Sequence, residues 1–299
     1  MKHVVSVSLG ESRRDHVAEI ALFGERVRLE RRGVDGDLKA LAARLFELDG
    51  RVDAIGIGGT DLGLRVADRW YPIHEIARAA RVVRRTPVVD GTGLKSTLER
   101  RAAAVVESLE PRAPRRVLFT AGTDRWGLTE GFVTAGYEPL FGDLGFSLGV
   151  PLPIRSVATT RVLAALVLPI VGRLPFRWIY PTGAAQSEWR PRFADWDAWA
   201  GVIAGDCHYI KRHRPARLDG KVICTNTTTP DDVAVFRATG ARWLVTTTPR
   251  LEGRSFGTNL LEAALIAARG LGRALSDAEL DAAIDALDLK PEALRLTPD

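Results

Sequence analysis

At 299 residues and 32.6 kDa, with 46% hydrophobic residues, the chain holds enough apolar material for one large α/β unit or two modest domains, which excludes a disordered or disulfide-scaffold protein. The net charge of +5 and isoelectric point near 9.5 come almost wholly from arginine, since only six of the 42 basic residues are lysines. Together with the alanine richness this is a compositional bias, and it gives no ground for a nucleic-acid partner.

The two cysteines, Cys207 and Cys224, lie far from any C-x-x-C spacing, in keeping with a reducing compartment. The opening stretch MKHVVSVSLGESRRDH turns polar before a signal-peptide core is complete, so a mature start and a cytoplasmic protein are expected. The strands VVSVSLG, HVAEIALFG and RVRLERRG lead to DLKALAARLFELDG, where Leu38, Leu41, Leu45 and Phe46 recur at helical spacing. VDAIGIGG is the next strand and ends at a Gly59-Thr60-Asp61 turn. A helix at about 72–82, the strand TPVVDG at 86–91 and the helix STLERRAAAVVESL follow, the last capped by Ser96 or Thr97 with Glu99 in its first turn. EPRAPRR, with Pro111 and Pro114, reads as a linker. The expected domains are therefore an N-terminal α/β substrate domain, 1–110, and a Rossmann-like parallel-sheet nucleotide domain with C-terminal helices, 111–299.

Beyond that boundary VLFTA, WGLTEGFVTAG and EPLFGDL form a βαβ signature. VLAALVLPIVG at 162–172 is about half the length of a bilayer crossing and contains Pro169, so a buried helix or the cover of a cleft is expected and a membrane partner is not. GVIAGD, KVICTN and RWLVTTTP are three further strands. The helix DDVAVFRATG joins the last two, with Pro230 at its start and Gly240 past its end. GTNLLEAALIAARGLG and SDAELDAAIDALD are helices of the tail.

The second Gly-Thr-Asp turn, in FTAGTDRWGL at 119–128, sits between a strand and a helix. Gly122, Asp124 and Gly127 stand at the three positions of a G-x-G-x-x-G dinucleotide fingerprint, and Asp143 follows Gly122 by 21 residues, where a ribose-binding acid belongs. Asp124 replaces the glycine that lets backbone approach a pyrophosphate; its side chain either displaces phosphate or caps the helix. The strand ends gather Asp206, His208, Asn226, Thr227, Thr228, Thr247, Thr248 and Arg250 along one expected rim. HYIKRHR reads as a basic loop that either meets a phosphate, such as the 2′-phosphate of NADP, or is simply solvated, and no tidy metal-ligand spacing occurs. Thr258 and Asn259 stand at a helix start, a place for an anion or a cap. Asp90 and Lys95 follow a strand, where a lysine of lowered pKa moves a hydroxyl proton. Ser6 and Ser8 project from one face of the first strand, because strand side chains alternate.

SVSLG, VDAIGIGGTDLGL, TPVVDGTGLKSTLERR, GDCHYIKRHRP, TNTTTPDDV and LVTTTPRLEGRSFGTN together resemble a bacterial family labelled quinate 5-dehydrogenase, along most of the chain. The resemblance implies the plan of the shikimate and quinate dehydrogenases: an N-terminal substrate domain, a Rossmann-like nucleotide domain, and a C-terminal helix returning to the first domain. By that resemblance Ser6 and Ser8 match a serine pair that binds the substrate carboxylate, Lys95 a lysine at the reacting hydroxyl, and Asp61 or Asp124 the aspartate beside it. The chain departs from the pattern in having no intact GxGxxG loop, no Asn-Val-Thr-x-Pro-x-Lys stretch, and no Asn-Thr-Asp before the nucleotide domain.

The leading expectation is an oxidoreductase moving a hydride between NAD or NADP and an alcohol carbon of a small hydroxylated acid. Lys95 takes the hydroxyl proton, oriented by Asp90 or Asp61. Gly122, Asp124, Gly127, Asp143, Asn226, Thr227, Thr228 and Thr247 seat the cofactor, while Ser6, Ser8, His208, Arg250 and Asn259 meet the substrate. The rival expectation is a Rossmann-like metabolite-binding or regulatory protein without dehydrogenase activity. Nucleic-acid binding through RVVRR, LERR, PRAPRR and KRHR ranks last, since no recognised module accompanies those patches. A homo-oligomer is compatible with all of this.

Overall fold

The structure is a computed structural model that describes residues 1–110, 114–179, 188–251 and 254–297. Its first elements are β1 (Lys2–Ser8), β2 (His16–Leu22), β3 (Glu25–Gly33), α1 (Leu38–Leu48), β4 (Ala54–Gly58), β5 (Gly63–Val66), β6 (Arg69–Pro72), α2 (His74–Ala80), β7 (Val88–Val89) and α3 (Thr92–Ser96). Next come α4 (Ala102–Leu109), β8 (Arg116–Phe119), α5 (Trp126–Thr134), β9 (Glu138–Phe141), α6 (Asp143–Leu148), α7 (Val157–Val171) and α8 (Phe176–Ile179). They are followed by α9 (Ala194–Trp199), β10 (Val202–Gly205), α10 (Cys207–His213), β11 (Val222–Thr225), α11 (Pro230–Ala238) and β12 (Trp243–Thr246). The last are β13 (Arg250–Leu251), β14 (Arg254–Ser255), α12 (Thr258–Arg269), α13 (Asp277–Ala286) and β15 (Glu292–Arg295).

Packing divides the chain into two α/β units, the first made of Met1–Leu94, Val167–Ala185 and Leu251–Asp288, the second of Lys95–Leu166, Gln186–Arg250 and Leu289–Asp299. The boundary expected at 110/111 thus falls after Leu94; residues 111–113 of the expected linker lie outside the described residues. The reason lies in α4, whose buried Ala102, Ala103 and Val106 belong to the same apolar cluster as Val117, Phe119, Leu128 and Phe132. The helices α12 and α13, expected in the second domain, belong to the first unit.

In the first unit the sheet order is β2-β3-β1-β4-β7, with β3, β1, β4 and β7 parallel and β2 an antiparallel edge. The central strand β1 buries Val4, Val5 and Val7, because a parallel strand covered on both faces needs an almost unbroken apolar run. On α1, Leu41 and Leu45 are fully buried whereas Phe46 is 69% exposed, so the apolar stripe is narrower than its letters suggest. The helix α12 packs on β4 and β1 and buries every residue from Leu260 to Ala267.

In the second unit the order is β9-β8-β10-β11-β12-β15, parallel except for β15. Numbered in chain order from β8, the parallel strands run 2-1-3-4-5, a doubly wound sheet whose order reverses between β8 and β10. Phe119 stacks on Phe141 with centroids 5.3 Å apart, and Phe132 meets Tyr137 edge-on at 5.0 Å. The hairpin β5–β6 and the edge strand β15 were not expected. No described helix is long and apolar enough to cross a membrane.

The helix α11 begins as its sequence requires. Thr229 Oγ1 accepts from the Asp232 N–H at 3.2 Å, the Asp232 carboxylate accepts from the Thr229 N–H at 2.7 Å, and Pro230 fills the first helical position. Thr229→Ala is expected to lower stability by about 0.5–2 kcal/mol in urea denaturation, the usual cost of a lost cap.

Candidate functional site

In an open parallel sheet the ligand crevice lies outside the carboxyl ends of the strands, where their order reverses. In the second unit that point carries residues 120–125 after β8 and Asp206 after β10, with Asn226 after β11 and Thr247 after β12 alongside. They are bonded to one another. The buried Arg125 guanidinium donates to Glu99 Oε1 at 2.5 Å and reaches Asp206 Oδ2 at 3.4 Å. Asn226 Nδ2 donates to Asp206 Oδ2 at 2.9 Å, while its Oδ1 accepts from the Cys207 N–H at 3.0 Å and the Thr225 hydroxyl at 3.2 Å. Thr247 donates its hydroxyl to Glu99 Oε1 at 3.2 Å. Lys95 Nζ donates to Asp124 Oδ1 at 2.8 Å, and Asp124 Oδ2 lies 3.8 Å from Arg125 Nε.

Burial alone would raise the Asp206 carboxyl, but His208, Arg125 and the His208 N–H outweigh it and hold the group below its ordinary range. Glu99 is fully buried, and desolvation lifts its carboxyl against the pull of Arg125 and Lys95. Among the described residues Glu99 Oε2 and the hydroxyls of Thr120 and Thr228 are buried without a hydrogen-bond partner. Sequence reasoning placed Glu99 in a first helical turn and left Arg125 and Thr120 aside. A signal existed, since Glu99, Ala102, Ala103 and Val106 share the i, i+3, i+4, i+7 spacing of a buried face, where an acid needs a cation.

The glycine turn is closed from within. Asp143, the first residue of α6, accepts from the Thr123 N–H at 2.8 Å, the Thr123 hydroxyl at 2.6 Å and the Gly122 N–H at 3.1 Å. Those are the N–H groups that a pyrophosphate would need, and a carboxylate holds them. Gly122 gives room to Phe141, 2.8 Å from where its Cβ would stand, and Gly127 lets α5 approach the Lys95 carbonyl. Gly122, Gly127 and Asp143, expected to seat a cofactor, thus build the turn, and Asp124, expected to seat it too, holds Lys95. The basic segment at 208–214, expected as a loop, is mostly the helix α10, because Asp206 caps it and Cys207, Ile210 and His213 face inward. Lys211 there is bonded to Asp232.

The expected catalytic and substrate residues fall into different units. Asp61, Asp90, Ser6, Ser8 and Asn259 belong to the first, Lys95 and His208 to the second. In the first unit Asn259 Nδ2 donates to Ser6 Oγ at 2.6 Å, and Ser8 Oγ accepts from Arg31 at 3.0 Å and the Gly10 N–H at 3.1 Å. The glycines opposite Ser6 and Ser8, Gly56 and Gly58, leave room for Asn259. Asp90 accepts from the Leu62 N–H at 2.6 Å and the Thr92 N–H at 3.0 Å. Thr227 and Thr228 follow β11, half-buried. The Arg250 side chain lies outside the described residues.

A family model described as a domain of unknown function, DUF8754, matches residues 93–296, and a second, DUF8753, matches residues 3–90. The chain belongs to the DUF8754 family. No curated protein matches it. Among solved structures it is similar to an NAD-dependent malic enzyme from Thermotoga maritima, at 13% identity over 99% of this chain and 80% of that one, with a TM-score of 0.42. It is similar also to a periplasmic solute-binding protein from Actinobacillus succinogenes 130z with bound D-allose, at 10% identity, 99% and 98% coverage and a TM-score of 0.39. A Mycobacterium smegmatis protein in complex with β-D-fucofuranose matches at 12% identity, 99% and 92% coverage and a TM-score of 0.35. Likeness at this level carries no activity to the present chain.

The DUF8754 match begins beside a buried acid that sequence reasoning missed. Glu262 on α12 accepts from the Leu94 N–H at 3.1 Å. Burial lifts its carboxyl to about 8, with Asp90 adding to the lift. Unfolded, the group ionises near 4.5; between those values only the unfolded state gains by losing the proton, so stability falls as pH rises through the window and levels above it. Glu262→Gln is expected to remove that slope, at most about 1.4 kcal/mol per pH unit, in denaturant titrations from pH 4.5 to 8. At the DUF8754 glycine turn, a Gly127 Cβ would stand 2.0 Å from the Lys95 carbonyl oxygen. Gly127→Ala should therefore cost about 1–3 kcal/mol in thermal unfolding, the range of an overpacked site.

Proposed function

We propose that this chain is a Rossmann-like metabolite-binding protein that holds a small hydroxylated molecule at the carboxyl rim of the second unit's sheet. The observation that carries this reading is the connected set Asp124, Arg125, Asp206 and Asn226, delivered by neighbouring strand ends at the point of reversal. Carboxylates, a guanidinium and an amide offer both acceptors and donors to hydroxyl groups. Asp143 supports a ligand other than a dinucleotide in the usual seat, because it already takes the Gly122 and Thr123 N–H groups. The two cysteines are buried thiols outside any disulfide, which agrees with a cytoplasmic location.

A second reading, an NAD(P)-dependent oxidoreductase acting on a small hydroxylated acid, is favoured by one pair. Lys95 and Asp124 lie 2.8 Å apart, and the quinate dehydrogenase resemblance asks for a lysine and an aspartate at the reacting hydroxyl. Lys95, as a free amine, would take the hydroxyl proton, and Asp124 would orient it. The dinucleotide does not fit the glycine turn, and no step is assigned to it there.

Calorimetric titration of the full chain with hydroxylated metabolites, NADH and NADPH separates the two. The first reading expects saturable binding of a metabolite that is lost in Asp206→Ala, with neither nucleotide bound at millimolar concentration. Nucleotide binding, together with turnover reduced about 10²-fold or more in Lys95→Met, would establish the second instead.

A further inference from the structure

We infer that the second unit carries an oxyanion site apart from the rim, in which the guanidinium groups of Arg192, Arg212 and Arg214 hold the phosphoryl group of a small phosphate compound. It is independent of the ligand held at the rim.

The site is built by two backbone segments bonded side by side. The Arg190 N–H donates to the Arg212 carbonyl at 2.7 Å, the Arg192 N–H to the His213 carbonyl at 3.1 Å, and Trp189 Nε1 to the Arg214 carbonyl at 2.9 Å. Those three carbonyls end α10, so the negative pole of the helix is already covered by protein donors. Asp206, which belongs to the rim, caps the other end of α10, and six residues of helix put about 9 Å between it and Arg212. The Arg214 guanidinium lies over the Trp189 ring at 5.6 Å, which orients it.

The charge here is unbalanced. Arg190 is paired with Glu188 at 2.8 Å, whereas Arg192, Arg212 and Arg214 make no ion pair among the described residues. Four arginines less one glutamate leave +3. Lys211 is bonded to Asp232; on α9, Asp197 stands beside Lys221, and Asp195 pairs with none of the four arginines. Residues 180–187, YPTGAAQS, contain no acid. His213, between Arg212 and Arg214, adds no charge. Burial first, then Arg212 and Arg192, hold its ring down at about 4 against the bond to the Arg190 carbonyl, and no carboxylate acts on it.

The donors are equally unused. Arg212 Nε and Arg214 Nε are buried without a partner among the described residues, and of the three guanidinium groups only Arg214 has an acceptor, the Pro215 carbonyl at 3.1 Å. Unpaired buried donors are costly, so the arrangement calls for an acceptor-rich anion. A phosphate dianion brings several oxygens that match planar N–H forks, and more charge than one carboxylate. Three arginines around one histidine form a point, not the backbone-tracking groove that a nucleic-acid strand requires.

The test is calorimetric titration of the full chain with inorganic phosphate and with glucose 6-phosphate, each against chloride at matched ionic strength. One phosphoryl group per chain should bind, and Arg192→Ala or Arg212→Ala should weaken it about tenfold or more, the worth of a charged hydrogen-bonding partner. Arg212→Lys, which keeps the charge and loses the fork, should weaken it less. Without phosphate, Arg212→Ala should leave the thermal midpoint unchanged or higher, since it removes an unpaired like charge. Tighter binding of glucose 6-phosphate would name an ester as the ligand, and tighter binding of inorganic phosphate the free ion. A lowered midpoint with phosphate binding intact shows a structural arginine and overturns the assignment. So does the lack of saturable phosphate binding at millimolar concentration, or chloride competing equally well. Phosphate binding lost in Lys95→Met but kept in both alanine variants places the anion at the rim and overturns it too. A single-stranded oligonucleotide that binds through the same arginines without competition from phosphate would replace the site by a nucleic-acid surface.

Discussion

The second unit is organised around one buried cation. Arg125 leaves the turn after β8, and its guanidinium meets Glu99 from the start of the preceding helical segment and Asp206 from the end of β10. Removing either partner from a buried pair costs about 3–5 kcal/mol, because an uncompensated charge remains. The carboxyl ends of β8 and β10 are therefore tied together by electrostatics where the sheet reverses direction. A hydrophobic pair could pack there, but it would not fix where Asp124, Asn226 and Thr247 present their polar atoms. The rim's preorganisation follows from that constraint.

The same economy governs the glycine turn. In a dinucleotide site the N–H groups of the turn are left for phosphate, and the acid at the end of the second strand reaches the ribose. Here the acid has moved one element on, into the first turn of α6, and folds back to take the N–H groups itself. With Asp143 bound there and Asp124 beside it, the turn has become a rigid support. Gly127 then serves the contact between α5 and the Lys95 backbone, which sets Lys95 next to Asp124.

Most of the fold was legible because its signals are local. Periodicity gave α1, α11, α12 and the buried parallel strands; Pro230 and Gly240 bracketed α11 where the structure begins it and shortly after it ends. What failed depended on partners distant in sequence. The β15 edge pairs with β12 across 45 intervening residues or more, and EALR alone carries no strong strand signal. The helix at 207–213 was hidden by its charges, since KRH reads as a solvated loop until Asp206 is seen to cap it. The rim threonines were found, yet Glu99 and Arg125 were not, for a paired buried charge looks like a surface charge in one dimension.

The repeated Gly-Thr-Asp turns show how far letters alone can mislead. Both sheets contain parallel strands in the order 2-1-3-4, yet the first turn follows β4, the third parallel strand of its sheet, and the second follows β8, the first of its own. Gly59 adopts φ +69°, the left-handed region, whereas Gly122 has no positive φ and is glycine because Phe141 and Phe119 crowd it. Gly59 is required by backbone conformation as well as by its close approach to Gly10, Gly122 by packing alone. The echo is two different ways of leaving a buried parallel strand, and the second brings Asp124 to Lys95 at a reversal of strand order.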